Sequence, residues 1–243
     1  YRPTDESASQ GSSIVTSNSG AESGADVRMT VGALNLDAST ILTQTLGDGN
    51  AGHVTANVGT LSLDNFATIG SNNFSFGTDL NGDGVADVFG VGGNVTVQGL
   101  QGGGSAAVSV TLNNGASIST QTFGPGLGGD VQIVAGTIGL DGPGTTITTG
   151  TFGDGNGGNI TANVESLSVT NGATISSNNL SFGLGQGGNV TVQGLQGAGS
   201  AAKSVTLSNT NAPTISTVTA WGPGRGGDVS ITADTVLIET ASG

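Results

Sequence analysis

Short runs of alternating apolar and polar residues, divided by glycine-rich turns, fill the chain from residue 12 onward. In the stretch that begins at Gly157 the runs are Ile160-Thr161-Ala162, Leu167-Ser168-Val169 and Thr174-Ile175-Ser176. A period of two buries one side of a β-strand and leaves the other in water. Nowhere do apolar residues recur at i, i+3 and i+4, the spacing of an amphipathic helix. The pattern predicts an all-β chain with almost no helix.

The runs also repeat. Residues 92–102 and 187–197 both read GGNVTVQGLQG, and HVTANVGTLSLDNFATIGSNNFSFG from His53 matches NITANVESLSVTNGATISSNNLSFG from Asn159. A finer period lies beneath this duplication. The first valine or isoleucine after each glycine turn is Val27, Val54, Val95, Val131, Ile160, Val190 and Val229, at intervals of 27, 41, 36, 29, 30 and 39 residues. The basic unit is 27–30 residues, and longer intervals carry loops: one at 78–91 and two at the Gln-Gly-Leu-Gln-Gly stretches after Val97 and Val192. A unit repeating at this length cannot bury its apolar side alone and must stack on its neighbours.

Stacking creates columns. The third run contributes Ile14, Ile41, Ile69, Ile118, Ile147, Ile175 and Ile215. The second contributes Leu34 and Leu36, Leu61 and Leu63, Ile138 and Leu140, Leu167 and Val169. Just ahead of the glycine turn stand Leu46, Phe76, Phe123, Phe152, Phe182 and Trp221. A slip of one residue would turn each column out to water, so register is firmly set. The fold class is a parallel β-helix, or β-solenoid, with three short strands per coil and about seven coils. Glycine at the corners supplies positive φ without steric cost. Before the first strand, Asn94, Asn159 and Asn189 alternate with Asp26, Asp130 and Asp228, whose side chains can hydrogen-bond along a stack. The N-x-[ST] sequons at those asparagines are read as corner chemistry, with glycosylation the lesser reading.

Composition narrows the function. The chain has 46 glycines and five prolines in 243 residues, with 9% charged and 4% aromatic residues. It has neither the charge of a disordered tail nor collagen's glycine at every third place. Its net charge is −13, and the four basic residues, Arg2, Arg28, Lys203 and Arg225, are scattered. Tracking nucleic-acid phosphates takes clustered cations, so a nucleic-acid partner is excluded. With no cysteine and one histidine, His53, there is no disulfide framework, thiolate catalyst or Cys/His zinc site. No apolar run is long enough to span a membrane as a helix.

The stretch GNGGNITANVESLSVTNGATISSNNLSFGLGQGGN resembles the repeats of filamentous-haemagglutinin-type exoproteins of Gram-negative bacteria and cyanobacteria, and the resemblance covers nearly the whole chain after residue 10. It implies a right-handed coil, secretion to the cell surface or extracellular space, and an adhesin role. The amino-terminal secretion domain of such exoproteins is not recognisable here.

One motif carries metal chemistry. Asp79-Leu80-Asn81-Gly82-Asp83-Gly84-Val85-Ala86-Asp87 matches the first half of an EF-hand-type calcium loop. Asp79, Asn81 and Asp83 would give side-chain oxygens to Ca2+, Val85 its carbonyl, and Asp87 a further ligand. Position twelve is Gly90 rather than a bidentate glutamate, and no helical pattern flanks the loop. Calcium must then borrow a carboxylate from elsewhere or bind more weakly. The second copy of the unit lacks this loop, so folding does not need it. GDGN at 47–50 and 153–156 lacks the nine-residue period of calcium-binding nonapeptides and is read as a corner turn.

The chain is not read as an enzyme. A carbohydrate-active β-helix needs paired carboxylates or a proton-abstracting base on one face. The first-strand face offers Arg28, Thr55, Thr96, Gln132, Thr161, Thr191 and Ser230; the outer third-strand positions, Ser13, Thr40, Thr68, Ser117, Thr146, Thr174 and Thr214, carry no charge. His53 takes a corner place. That Ser/Thr column leaves an ice- or polysaccharide-binding array as a lesser reading, since strands favour threonine in any case.

The organisation expected is an arm over 1–11 and one solenoid over 12–243 with a calcium-loop insertion at 78–91. The first clear strand aligns with the third strand of a unit, and the last with a second strand. Two such incomplete coils are complementary. Copies are expected to join head to tail, with Ser12, Ile14 and Thr16 of one meeting Val236, Ile238 and Thr240 of another and residues 1–10 acting as a clasp. The function expected is a structural subunit of an extracellular filament or sheath, with self as partner and contact with a cell surface or polysaccharide. The alternative is a monomeric adhesin stalk, or a piece of a longer exoprotein in which covalent continuity replaces assembly.

Overall fold

The computed structural model describes residues 11–82, 89–180, 185–208 and 211–239. Among them there is no helix, and 17 strands form two parallel sheets. The first sheet runs β1 (Ser13–Asn18), β3 (Thr40–Thr45), β5 (Thr68–Asn73), β8 (Ser117–Thr122), β10 (Thr146–Thr151), β12 (Thr174–Asn179) and β15 (Thr214–Thr219). The second holds four 11-residue strands, β2 (Val27–Asp37), β4 (Val54–Asp64), β9 (Val131–Asp141) and β11 (Ile160–Thr170). It also holds three pairs of shorter strands: β6 (Val95–Gln98) with β7 (Ala107–Asn113), β13 (Val190–Gln193) with β14 (Ala202–Ser208), and β16 (Val229–Ile231) with β17 (Ala233–Glu239). The chain alternates between the sheets, as in a β-solenoid.

Three separate runs per unit were expected, yet the first two merge into one strand in β2, β4, β9 and β11. The cause is a slip in the alternation. In β4 the buried residues are Val54, Ala56 and Val58, then Leu61 and Leu63, so Gly59 and Thr60 both lie outside the core. The pairing with β2 passes from Val31↔Val58 to Ala33↔Thr60 and skips one pair between them. The backbone turns there while staying in the ladder, and one strand serves two sides of the core. β11 does the same at Glu165.

The isoleucine column is in register across the whole first sheet, from Ile14↔Ile41 to Ile175↔Ile215. Burying each of the inner members, Ile41, Ile69, Ile118, Ile147 and Ile175, contributes about 2 kcal/mol. The aromatic column needs correction. Phe74, not Phe76, stacks on Phe123 at 4.8 Å, and Phe123 on Phe152 at 4.7 Å. Phe76 and Trp221 are exposed. Position along the stack is counted from the strand end: the N–H groups of Phe74, Phe123, Phe152, Leu180 and Ala220 each bond to the carbonyl ending the preceding strand of the sheet. Phe182 lies outside the described residues.

The corner glycines are also needed for a different reason from the one expected. None of Gly93, Gly129, Gly158, Gly188 and Gly227 has a left-handed φ. A Cβ on any of them would lie 1.9–2.3 Å from the carbonyl oxygen of the matching glycine one unit back. Stacked backbones approach so closely here that no side chain fits. Left-handed φ occurs instead between the second and third runs, at Asn65, Asn114 and Asn171 and at Gly115, Gly142, Gly144 and Gly172, where glycine has the role expected of it.

Candidate functional site

The double-glycine corner is held from inside by hydroxyls. Thr43, Thr120 and Thr149, all fully buried on the inner side of the first sheet, donate to the carbonyls of Gly52, Gly129 and Gly158 at 2.6, 2.5 and 2.6 Å. Ser71 and Ser177 also donate to Gly52 and Gly158, each at 2.8 Å. Buried polar groups must be paired, and these side chains pair carbonyls that no strand ladder reaches. They were missed in the sequence, where the second inward position of each third run is simply another Ser or Thr.

Outside, the corner residues form a hydrogen-bonded ladder. The backbone N–H of His53 donates to Asp26 Oδ1 (2.8 Å), that of Asn94 to His53 Nδ1 (2.9 Å), and that of Asp130 to Asn94 Oδ1 (2.9 Å). The series continues through Asn159, Asn189 and Asp228 at 2.7, 2.9 and 2.8 Å. Each rung joins one unit to the next, and His53 substitutes for an asparagine by accepting through Nδ1. At the first rung the His53 N–H and the Arg28 guanidinium, 2.7 Å away, hold the Asp26 carboxyl below its ordinary range. Beside the ladder lie two adjoining hollows of about 570 and 450 Å³, which share Asn94, Asp130, Asn159 and Asn189. The larger is floored by the glycine pairs, which have no side chain, and the smaller lies on the other side of the corner residues, over Thr96, Gln132, Thr161 and Thr191.

Of the expected calcium ligands, Asp83, Val85 and Asp87 lie outside the described residues. Asp79 Oδ1 accepts from the N–H groups of Asn81 (3.1 Å) and Gly82 (2.6 Å), which bends the start of the loop. Asp48, from the turn one unit back, accepts from the hydroxyls of Ser75 (2.8 Å) and Thr78 and ties down the loop's base. Among the described residues no three His, Cys, Asp or Glu side chains gather as metal ligands.

The expected assembly residues sit at opposite ends. Ser12 and β1, with Ile14 and Thr16, begin the first sheet; Val236 and Ile238 lie on β17 in the second, and Thr240 lies outside the described residues. The first-strand face is aligned as expected, Thr55↔Thr96 and Thr161↔Gln132 and Thr191↔Ser230. No protein family matches this sequence, and no curated protein or solved structure was found to match it.

Proposed function

We propose that the chain is a structural subunit of an extracellular filament or sheath, built as a right-handed β-helix of about seven coils, and that copies join head to tail by completing a shared coil. At about 4.8 Å per coil the body is about 35 Å long. The observation that carries the reading is the contrast along single columns. Ile41 is 1% exposed but its in-register neighbour Ile14 is 53% exposed; Leu207 is 9% and its neighbour Ile238 74%. Core columns thus run out to bare apolar ends, where neither the outer edge of β1 nor that of β17 has a strand partner among the described residues. A strand edge with exposed apolar columns offers itself to a further strand. Among the described residues the outermost strands lie in different sheets, β1 in the first and β17 in the second, so the two edges complement each other. Contact of this kind does not close on itself and propagates.

Calcium belongs to the same reading, with Asp79 and Asn81 joined by Asp83, Val85 and Asp87 around Ca2+. Negative-stain microscopy and light scattering of the full chain test the assembly. Filaments are expected from the full chain and soluble folded monomers after deletion of residues 1–17. Filaments from that truncation, or a monodisperse monomer from the full chain at high concentration, refute it.

A further inference from the structure

We infer that the corner groove binds a neutral, unbranched polysaccharide lying along the stack of units. The two hollows make up one trough, side by side along the corner row they share, Asn94, Asp130, Asn159 and Asn189: the smaller lies over the outer strand face at Thr96, Gln132, Thr161 and Thr191, and the larger lies over the glycine pairs and continues to Asp228. Four steps of about 4.8 Å make it about 19 Å long, the reach of a short oligosaccharide in extended form. The corner row runs along the middle of the trough, with the hydroxyls of Thr161 and Thr191 on one side of it and Leu127, half exposed, as an apolar wall on the other.

The chemistry of the walls selects the ligand. The Oδ1 atoms of Asn94, Asn159 and Asn189 accept along the ladder, and Asn159 Nδ2 also donates to Asp130 Oδ1 at 3.2 Å, which leaves the amides of Asn94 and Asn189 as the donors lining the trough and the second oxygen of Asp130 and the carboxylate of Asp228 as the acceptors. Donors and acceptors therefore alternate along the row, beside the hydroxyls of Thr161 and Thr191. A sugar hydroxyl both donates and accepts, and meets either kind of group.

Other ligand classes fit worse. Anionic polymers face a chain of net charge −13 with Arg225 as the trough's one cation. A single metal ion cannot be shared by Asp130 and Asp228, which are three steps, about 14 Å, apart. A peptide cannot add as a strand, since the N–H groups of Gly92, Gly128, Gly157 and Gly187 already bond to the next unit. The trough lies within one chain, so its ligand binding can be tested apart from assembly.

Affinity gel electrophoresis tests the assignment with hydroxyethyl-cellulose, soluble xylan, amylose and dextran, and with polygalacturonate as the anionic control. At least one neutral polymer should retard the protein and polygalacturonate should not. The pair Thr161→Val and Thr191→Val keeps strand shape and removes two trough hydroxyls, weakening retardation about fivefold or more. Thr148→Val, on the first sheet, should leave it unchanged, and matching circular dichroism shows that all variants fold. The inference is overturned if no neutral polymer retards the protein, if polygalacturonate retards it as strongly, or if Thr161→Val with Thr191→Val binds like the parent.

Discussion

Replacing Thr120 by valine should cost far more than the same change at Thr149, although both are fully buried and occupy the same inner column. Valine fills nearly the same volume, so no cavity opens in either case, and the difference comes from the carbonyl left behind. The Thr120 hydroxyl is the group that bonds Gly129 O, at 2.5 Å. Its loss strands a buried acceptor at about 2–3 kcal/mol. Gly158 O accepts from Thr149 at 2.6 Å and also from Ser177 at 2.8 Å, so Thr149→Val leaves it one partner and costs about 1 kcal/mol. The combination Thr149→Val with Ser177→Ala strands that carbonyl too, and should exceed the sum of its single variants by about 1 kcal/mol. Urea unfolding followed by circular dichroism reads all four variants. Equal costs at Thr120 and Thr149, or an additive double variant, would refute the argument that these hydroxyls act by pairing corner carbonyls.

Two further outcomes follow from the corner and the loop. Asp26 binds its proton less readily in the folded chain than in the unfolded one. Its contribution is therefore complete above the ordinary carboxylate range and fades as pH falls through its lowered pKa. Asp26→Asn should destabilise the protein near neutrality and much less in strong acid; an equal difference at both would contradict the assignment. Removing calcium should leave circular dichroism unchanged, since the core columns on either side of the loop are carried by β5 and β6, while calorimetry on Asp83→Ala should lose the binding heat; unaltered heat would dismiss the calcium loop.

The columns could be read from sequence because each is a single residue type recurring at one place in the alternation, and parallel stacking without offset keeps that place. The isoleucines of the first sheet are the clearest case. The merging of two runs into β4 and β11 could not, because an alternation that slips by one looks the same whether the chain breaks or bends at Gly59 or Glu165. The aromatic column was misplaced for a related reason. Counting back from glycine gave Phe76, but two added residues separate the strand end from that glycine, and the stack follows the strand to Phe74. The need for glycine was legible and its cause was not, since a close approach between Gly129 and Gly158 involves residues 29 positions apart. In the groove, Asn and Asp at the corners were visible, but the larger hollow beside them arises from the glycine floor and appears only when units are stacked.

The slip in the long strands also fixes where this fold can accept foreign sequence. At that bend β4 passes from Asn57 to Thr60, whereas the neighbouring unit passes from Gln98 to Ser109 between the same two ladder positions. The added residues leave through a mouth closed by Gly99 N–H on Ser105 O at 2.6 Å, and the later copy closes the same way with Gly194 on Ser200 at 3.0 Å. The strands on either side keep their register, so the excursion leaves the ladder undisturbed. The units with uninterrupted strands, at Gly32, Gly59, Gly136 and Glu165, carry the same joint unused. A peptide grafted there would leave the body on the same side as the two natural loops, one step of the stack from its neighbour. The chain is in that sense a display rail, with fixed mounting points that its own duplication has filled twice.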